Sequence, residues 1–340
     1  MTDAYPDRLG RLAAALDAPA GSLTVVRAPG RVNLIGEHVD YNAGVVLPMA
    51  IDRDTLVAWR VRTDRTSTAR SLEVPGLVTY APDGRTGPIW GAFVEAAVDA
   101  AESLGAPRTH LDLAVTSTVP AGGGLSSSAA LGVGLVLAHC MAGGVDPDPR
   151  ALALAAREVE VAATGVPCGT MDQLACALGV ADHALRLDCR TLDATAIPLP
   201  RDLAVLVVHS GIERTLAGSE YAERRAACEA AAARLGLDAL RDARIEQVAD
   251  DPFARHVVSE IGRVDAFVAA LERDDHPALG HILDEGHASL RDDFRVSLPE
   301  VDRLVDALRT EGAFGARITG AGFGGCVVAL AEPDRVESIA

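Results

Sequence analysis

VPAGGGLSSSAALGVGLVLA, residues 119–138, decides how the rest of the chain reads. Before it, Leu111, Leu113 and Val115 are apolar while Asp112, Thr116 and Thr118 are polar, the period of a half-buried strand. Gly122, Gly123 and Gly124 interrupt that pattern, Leu125 follows, and Ser126, Ser127 and Ser128 open an apolar helical run. Glycines let backbone N–H groups approach a ligand closely, and a helix N-terminus adds unpaired donors and the positive end of its dipole. That combination suits an anion; with a hydroxyl beside it, it suits a metal-bound phosphate. A plain strand–turn–helix corner has the same three glycines, so the weight falls on the segments around it.

The chain has 340 residues, enough for two domains, with 49% hydrophobic and 23% charged residues, ordinary values for a globular enzyme. The net charge of −17 argues against nucleic acid or an anionic membrane as a general partner, while leaving room for a phosphate held by backbone donors and a cation. No lysine occurs, so all 31 basic residues are arginine. A Walker-A lysine, a protein-kinase strand lysine and a Schiff-base lysine are therefore excluded. Cys140, Cys168, Cys176, Cys189, Cys228 and Cys326 are scattered without a C-x-x-C pair, which predicts reduced thiols in a cytoplasmic protein. No apolar leader is expected at the N-terminus, and the Gly-interrupted run at 130–145 is too short to span a bilayer.

Working outward, the periodicity predicts helices at 7–16, 89–104, 149–163 and 218–236, and at 256–273, 276–291 and 299–310 with ordinary solvated faces. Strands are expected at 23–27, ending at Ala28-Pro29-Gly30, and at 45–47, 51–61, 111–118 and 203–208, and residues 179–188 read as a turn into a strand. RVNLIGEHVDYNAG, residues 31–44, places Arg31, Asn33, Glu37, His38, Asp40, Tyr41 and Asn42 in a turn-rich segment flanked by apolar strands. Polar groups so placed must be paired, and a cavity lining satisfies them as well as a solvated hairpin does. GVPCGTMDQLACALG, residues 165–179, breaks one helix at Pro167 and Gly169 and sets Asp172 where another begins. ITGAGFGGCVVAL, residues 318–330, is a second Gly-rich turn leading into an apolar strand. IPLPRD, residues 197–202, is the candidate junction, giving lobes 1–196 and 197–340. His281 and His287 are spaced poorly for a metal pair and read as surface or packing residues.

These segments resemble the galactokinases of the GHMP small-molecule kinase superfamily. APGRVNLIGEHVDYNAG at 28–44 is similar to their sugar signature, VPAGGGLSSSAA at 119–130 to the superfamily phosphate loop, and TGAGFGGC at 319–326 to its C-terminal glycine motif. PCGTMDQ at 167–173 and SEYAERR at 219–225 also fit. The resemblance implies an α+β, two-lobed fold: an N-terminal lobe with a left-handed βαβ unit, a C-terminal lobe of helices on an antiparallel sheet, and an active cleft between them. It implies Asp172 as the base for the sugar's anomeric hydroxyl and Arg31 as the charge that keeps that carboxylate ionised and offsets charge on the transferred phosphoryl group. It implies Gly122 to Ser128 for ATP and Ser128 with Glu160 for Mg²⁺. For the hydroxyls of D-galactose it implies Glu37, His38, Val39, Asp40, Gly169 and Tyr221. A monomer or weak homo-oligomer is expected.

Three features depart from the family pattern. Val39 replaces the usual threonine, Glu213-Arg214 alters the pocket-wall segment 209–221, and the chain ends about one strand and helix beyond the third motif. Rival readings are a kinase for an N-acetylated hexosamine such as N-acetylgalactosamine, for arabinose or for a uronate, and a non-catalytic sensor of galactose and ATP. Glu37 and Asp40 would repel a uronate, and a sensor is expected to lose the base or damage the phosphate loop, both of which are intact. A serine hydrolase fails because Gly124-Leu125-Ser126 is not a G-x-S-x-G elbow.

Overall fold

The computed structural model describes residues 5–81, 84–212 and 217–339. In chain order the elements are α1 (Tyr5–Ala15), β1 (Thr24–Asn33), β2 (Val45–Val46), β3 (Pro48–Val61), β4 (Ser67–Ser71), β5 (Leu77–Ala81), β6 (Gly84–Thr86), α2 (Gly91–Ser103), β7 (Leu111–Ser117), α3 (Ser127–Ala142), α4 (Pro149–Thr164) and α5 (Met171–Leu178). There follow β8 (His183–Asp188), β9 (Ala194–Pro198), β10 (Ala204–His209), α6 (Ala217–Arg234), α7 (Pro252–Leu271), α8 (His276–Asp292), α9 (Pro299–Thr310), β11 (Gly315–Thr319), β12 (Cys326–Ala331) and α10 (Val336–Ile339). They form two compact units. The first comprises Met1–Gly30, Ile51–Pro120 and Ser126–Leu178; the second comprises Arg31–Ala50, Ala121–Leu125 and Gly179–Ala340. The units do not divide at 197–202: the polar segment 31–50 and the glycine stretch 121–125 pack with the C-terminal residues. So does the β8–β9 hairpin, because β8 pairs with β2 (Val45↔Asp188, Val46↔Leu187).

In the first unit the alternation of β7 does what its sequence implies. β3 and β7 pair antiparallel from Thr55↔Ser117 to Val61↔Leu111. Val57, Trp59, Leu111, Leu113 and Val115 face a core shared with α2, α3 and α4. Leu56, Ala58 and Ala114 face the other way, onto Leu12 and Leu16 at α1. Period two sends one set to each face. β7 pairs parallel with β4, which continues antiparallel to β5 and β6. These three strands carry no clean alternation, and the sequence suggested no element for them. α3 is apolar all round and is accordingly interior. Gly132 and Gly134 let it approach α4 and β3, since a Cβ there would lie 3.3 Å from the Ala156 carbonyl and 3.0 Å from Val57. α4 starts as Asp-Pro sequences predict: Asp148 accepts the N–H groups of Arg150 and Ala151, and Pro149 stands where no N–H is needed.

α3 also buries His139, which is 1% exposed, and neither of its ring nitrogens hydrogen-bonds among the described residues. Burial pushes its pKa down to about 4. The folded chain then binds fewer protons than the unfolded chain between pH 4 and 6.5, so stability is complete above that window and falls as pH drops through it. His139→Leu is expected to flatten this acid limb. The variant should gain about 1–2 kcal/mol more over wild type at pH 5 than at pH 8 in urea unfolding.

In the second unit β12 lies between β10 and β11, antiparallel to both (Leu206↔Ala329, Arg317↔Val328). Although the sequence of β10 is almost wholly apolar, only Leu206 within it is buried, because it is an edge strand of this sheet. α8 and α9 pack on β11. The closest approach is at Gly280 and Gly315, where a Cβ on Gly280 would fall 2.0 Å from the Phe314 carbonyl. α7 has the solvated face expected of it, at Gly262, Asp265 and Ala266, and buries His256, Val257, Glu260, Val264 and Phe267 on the other. Arg241 ties the end of the polar segment to β8, donating to both oxygens of Asp188 (2.6 Å each) and to the Ala43 carbonyl. Glu213 and Arg214 lie outside the described residues.

Candidate active site

The candidate side chains gather in two groups, one in each unit. In the first unit the helix α3 begins at an unusual residue. Ser126 has φ 62 and ψ 43, a left-handed conformation that costs a non-glycine residue about 1 kcal/mol or more. This aims its hydroxyl away from the capping position: Ser126 Oγ donates to Asp172 Oδ2 at 2.6 Å. Asp172 stands in the first turn of α5, where the helix dipole favours an anion. One turn into α3, Ser128 Oγ donates to Glu160 Oε1 (2.6 Å), and Gln173 Nε2 donates to Glu160 Oε2 (2.7 Å). Gln173 is fully buried and its contact had no separate signal in the sequence. Ser127 is half-buried beside them, as is Gly169, in a loop held by Arg157 Nε on the Cys168 carbonyl (3.0 Å).

These contacts separate two roles of one residue. Ser126→Gly removes hydroxyl and strain together, whereas Ser126→Ala removes the hydroxyl and keeps the strain. Both are expected to lose turnover by a similar factor, roughly tenfold. Thermal unfolding should show the glycine variant as stable as wild type and the alanine variant about 1 kcal/mol weaker.

In the second unit β1 does not end at Gly30 but runs on to Asn33, so Arg31 is a strand residue, 4% exposed. Its backbone N–H binds the Leu125 carbonyl (3.1 Å) and its Nη1 the Gly124 carbonyl (2.6 Å), which straps the stretch Gly122–Leu125 to β1. Gly36 has φ +100, and a Cβ on it would lie 2.8 Å from Val46 Cα, so the chain turns there only as glycine. Glu37 follows, 2% exposed. Its Oε1 accepts Thr319 Oγ1 (3.0 Å) and the Gly320 N–H (2.7 Å). Burial pushes the Glu37 carboxyl above its ordinary range, opposed first by Arg317 and then by Arg31.

His38, at φ 62, places its Nδ1 2.9 Å from the Tyr41 hydroxyl, and its ring lies 4.6 Å from that of Phe294 and 5.7 Å from that of Tyr221. Burial holds the Tyr41 hydroxyl well above its ordinary value, so it stays protonated at neutral pH. Asp40 is half-buried at the start of a single 3-10 turn, Asp40–Asn42. Val39 is fully buried and packs against Gly44. The residue that replaces the family's threonine is thus an interior one. Two residues with no place in the sequence reading, Glu260 and Arg317, hold this loop from beneath. Glu260 Oε1 accepts the N–H groups of Gly36 (2.9 Å) and Glu37 (3.1 Å) and Arg317 Nη2 (2.6 Å).

Comparison with known proteins identifies the family. The galactose-binding signature model of galactokinases matches residues 16–61, the GHMP kinase N-terminal domain matches 92–180 and the GHMP kinase C-terminal domain matches 267–340. The galactokinase of Roseiflexus sp. (strain RS-1) is 45% identical over 331 residues, covering 92% of this chain and 85% of that protein. The chain belongs to the galactokinase family. Among solved structures, Lactococcus lactis galactokinase complexed with galactose superposes with a TM-score of 0.89 at 30% identity, covering 98% of this chain and 91% of that one. Methanococcus jannaschii mevalonate kinase shares the fold alone, with a TM-score of 0.67 at 18% identity over 94% of each chain. The α+β GHMP kinase fold that the motifs implied is the fold observed. No helix among the described residues is long and apolar enough to cross a membrane.

Proposed function

We propose that this galactokinase-family chain transfers the γ-phosphate of ATP to the C1 hydroxyl of D-galactose, giving galactose 1-phosphate and ADP. The observation that carries the reading is Asp172, an acceptor fixed by Ser126 at the very corner that opens the phosphate-loop helix. Asp172 takes the proton from the C1 hydroxyl as that oxygen attacks phosphorus, and the bond to the ADP oxygen breaks. Arg31 stabilises the charge that grows on the phosphoryl oxygens. Glu37, His38, Asp40, Gly169, Tyr221 and the Val39 backbone hold the sugar. A ring of fixed acceptors selects a stereoisomer, because a misplaced hydroxyl leaves buried groups unpaired.

Gly122 to Ser128 bind the nucleotide phosphates through loop amides and the start of α3. Ser128 and Glu160 offer a hydroxyl and a carboxylate, hard oxygen donors that fit Mg²⁺. When bound, Mg²⁺ supplies charge neutralisation at the phosphates. The test is a panel of D-galactose, N-acetylgalactosamine, arabinose and galacturonate with ATP and Mg²⁺, scored for phosphorylation at the anomeric position. Galactose should give the highest kcat/KM; preference for another sugar, or binding of galactose and ATP without ADP release, would replace this reading.

A further inference from the structure

Arg317 stands at the middle of β11, fully buried. Its partner Glu260 is equally buried on α7 and also accepts Arg263 Nε (2.8 Å) on its other oxygen. The Glu260 oxygen that takes Arg317 takes the Gly36 and Glu37 N–H groups as well, so one carboxylate fixes both the guanidinium and the loop that carries Glu37. His256, one turn earlier on α7, places Nε2 3.1 Å from the Glu37 carbonyl and Nδ1 2.9 Å from Ser289 Oγ. Two residues beyond Arg317 are Thr319 and then Gly320, which hold the Glu37 side chain. α8 makes room for the guanidinium at Gly286, where a Cβ would lie 2.4 Å from Arg317 Nη1.

A buried ion pair is a poor source of stability, because well-packed apolar residues often replace it at no cost. This one has another use. We propose that Glu260 and Arg317 are a positioning pair for Glu37, holding its loop and its carboxylate in place for galactose. The inference rests on Glu37 being a sugar ligand. The charged and titratable groups around Glu37 are Arg31 on β1, Arg317 on β11, and His256, Glu260 and Arg263 on α7. His287 on α8, paired with Asp302, lies behind Arg317. Burial drives the Glu37 carboxyl towards its neutral form, and Arg317 opposes this more strongly than Arg31 does. Burial likewise acts to raise Glu260, but Arg317 and Arg263 outweigh it and hold that carboxyl well below its ordinary value. His256, pushed down to about 4 by burial, is neutral near pH 7 and adds a hydrogen bond but no charge. The C-terminal glycine motif thereby acquires a task on the sugar side: its first two residues hold Glu37, and the strand before it brings the counter-charge.

The test is the double variant Glu260→Gln/Arg317→Met, which removes one buried charge of each sign and leaves an amide oxygen for the Gly36 and Glu37 N–H groups. KM for galactose at pH 7 should rise roughly ten- to hundredfold, with kcat and KM for ATP changing far less. The rise should ease as pH increases, since Arg317 is the strongest charge opposing the effect of burial on the Glu37 carboxyl. An unchanged KM, or equal pH-independent losses for galactose and ATP, would overturn the proposal. If the double variant fails to fold, Gly286→Ala carries the test, because it keeps every charge and favours the helix while displacing Arg317 Nη1. It should raise KM for galactose several-fold and leave ATP untouched; wild-type values for both would overturn the proposal. Glu37→Gln runs alongside. If it leaves KM for galactose unchanged, the assignment of Glu37 to the sugar fails and the positioning role falls with it. If it raises KM and the double variant does not, only the positioning role is lost.

Discussion

Asp172→Asn is expected to lower kcat by roughly 10²–10⁴-fold while galactose and ATP still bind. The exchange is isosteric, and the amide oxygen can accept the same hydrogen from Ser126 Oγ that the carboxylate accepts at 2.6 Å. Position, packing and the first turn of α5 are therefore retained, and only the capacity to take a proton is lost. Calorimetric titration of each ligand, together with an ADP-release assay, separates the two effects. Near-wild-type turnover would remove Asp172 from the chemistry. A parallel loss of galactose binding would make it a sugar ligand rather than a base.

Glu160→Ala is expected to be the other severe variant. Glu160 receives Ser128 on one oxygen and Gln173 on the other, so its carboxylate is aimed before any ligand arrives. Its removal should raise the Mg²⁺ concentration needed to tighten ATP binding and cut turnover at cellular Mg²⁺ by roughly a hundredfold or more. The first effect can be measured with no turnover at all, by titrating ATP at fixed Mg²⁺ levels with galactose absent. Unaltered Mg²⁺ dependence would assign Glu160 a purely structural role towards Ser128.

How much of this was legible in the sequence depended on whether local pattern or long-range pairing decides each feature. The β7 alternation, the α3 run and the caps at α4 are local, and they fold as they read. The strands β4 to β6 were illegible because they are short and their residues follow no apolar alternation that would mark a buried face. β1 continuing through Ala28-Pro29-Gly30 was also missed: proline and glycine are ordinarily punctuation, yet here they sit inside the strand. In the site, Ser126, Ser128, Glu160 and Asp172 were named from motifs, and the structure joins them in two pairs. Glu260 did leave a trace. It falls in phase with Val257, Val264 and Phe267 on the apolar face of α7, and a carboxylate there needs a buried partner. Arg317, lone among the small and apolar residues of β11, is that partner. Neither could be tied to Glu37 without the fold, since the residues are more than 200 positions apart along the chain.

The bidentate clasp of Arg241 on Asp188 is one of many ion pairs among the described residues whose cation is a guanidinium and never an ammonium side chain. An ammonium loses its charge near pH 10.4, but a guanidinium does not do so in a protein. Alkaline solution up to about pH 11 should therefore leave these clasps intact, where a lysine-rich relative would be shedding its own. Reagents that acylate side-chain amines should likewise pass the folded chain by without touching them.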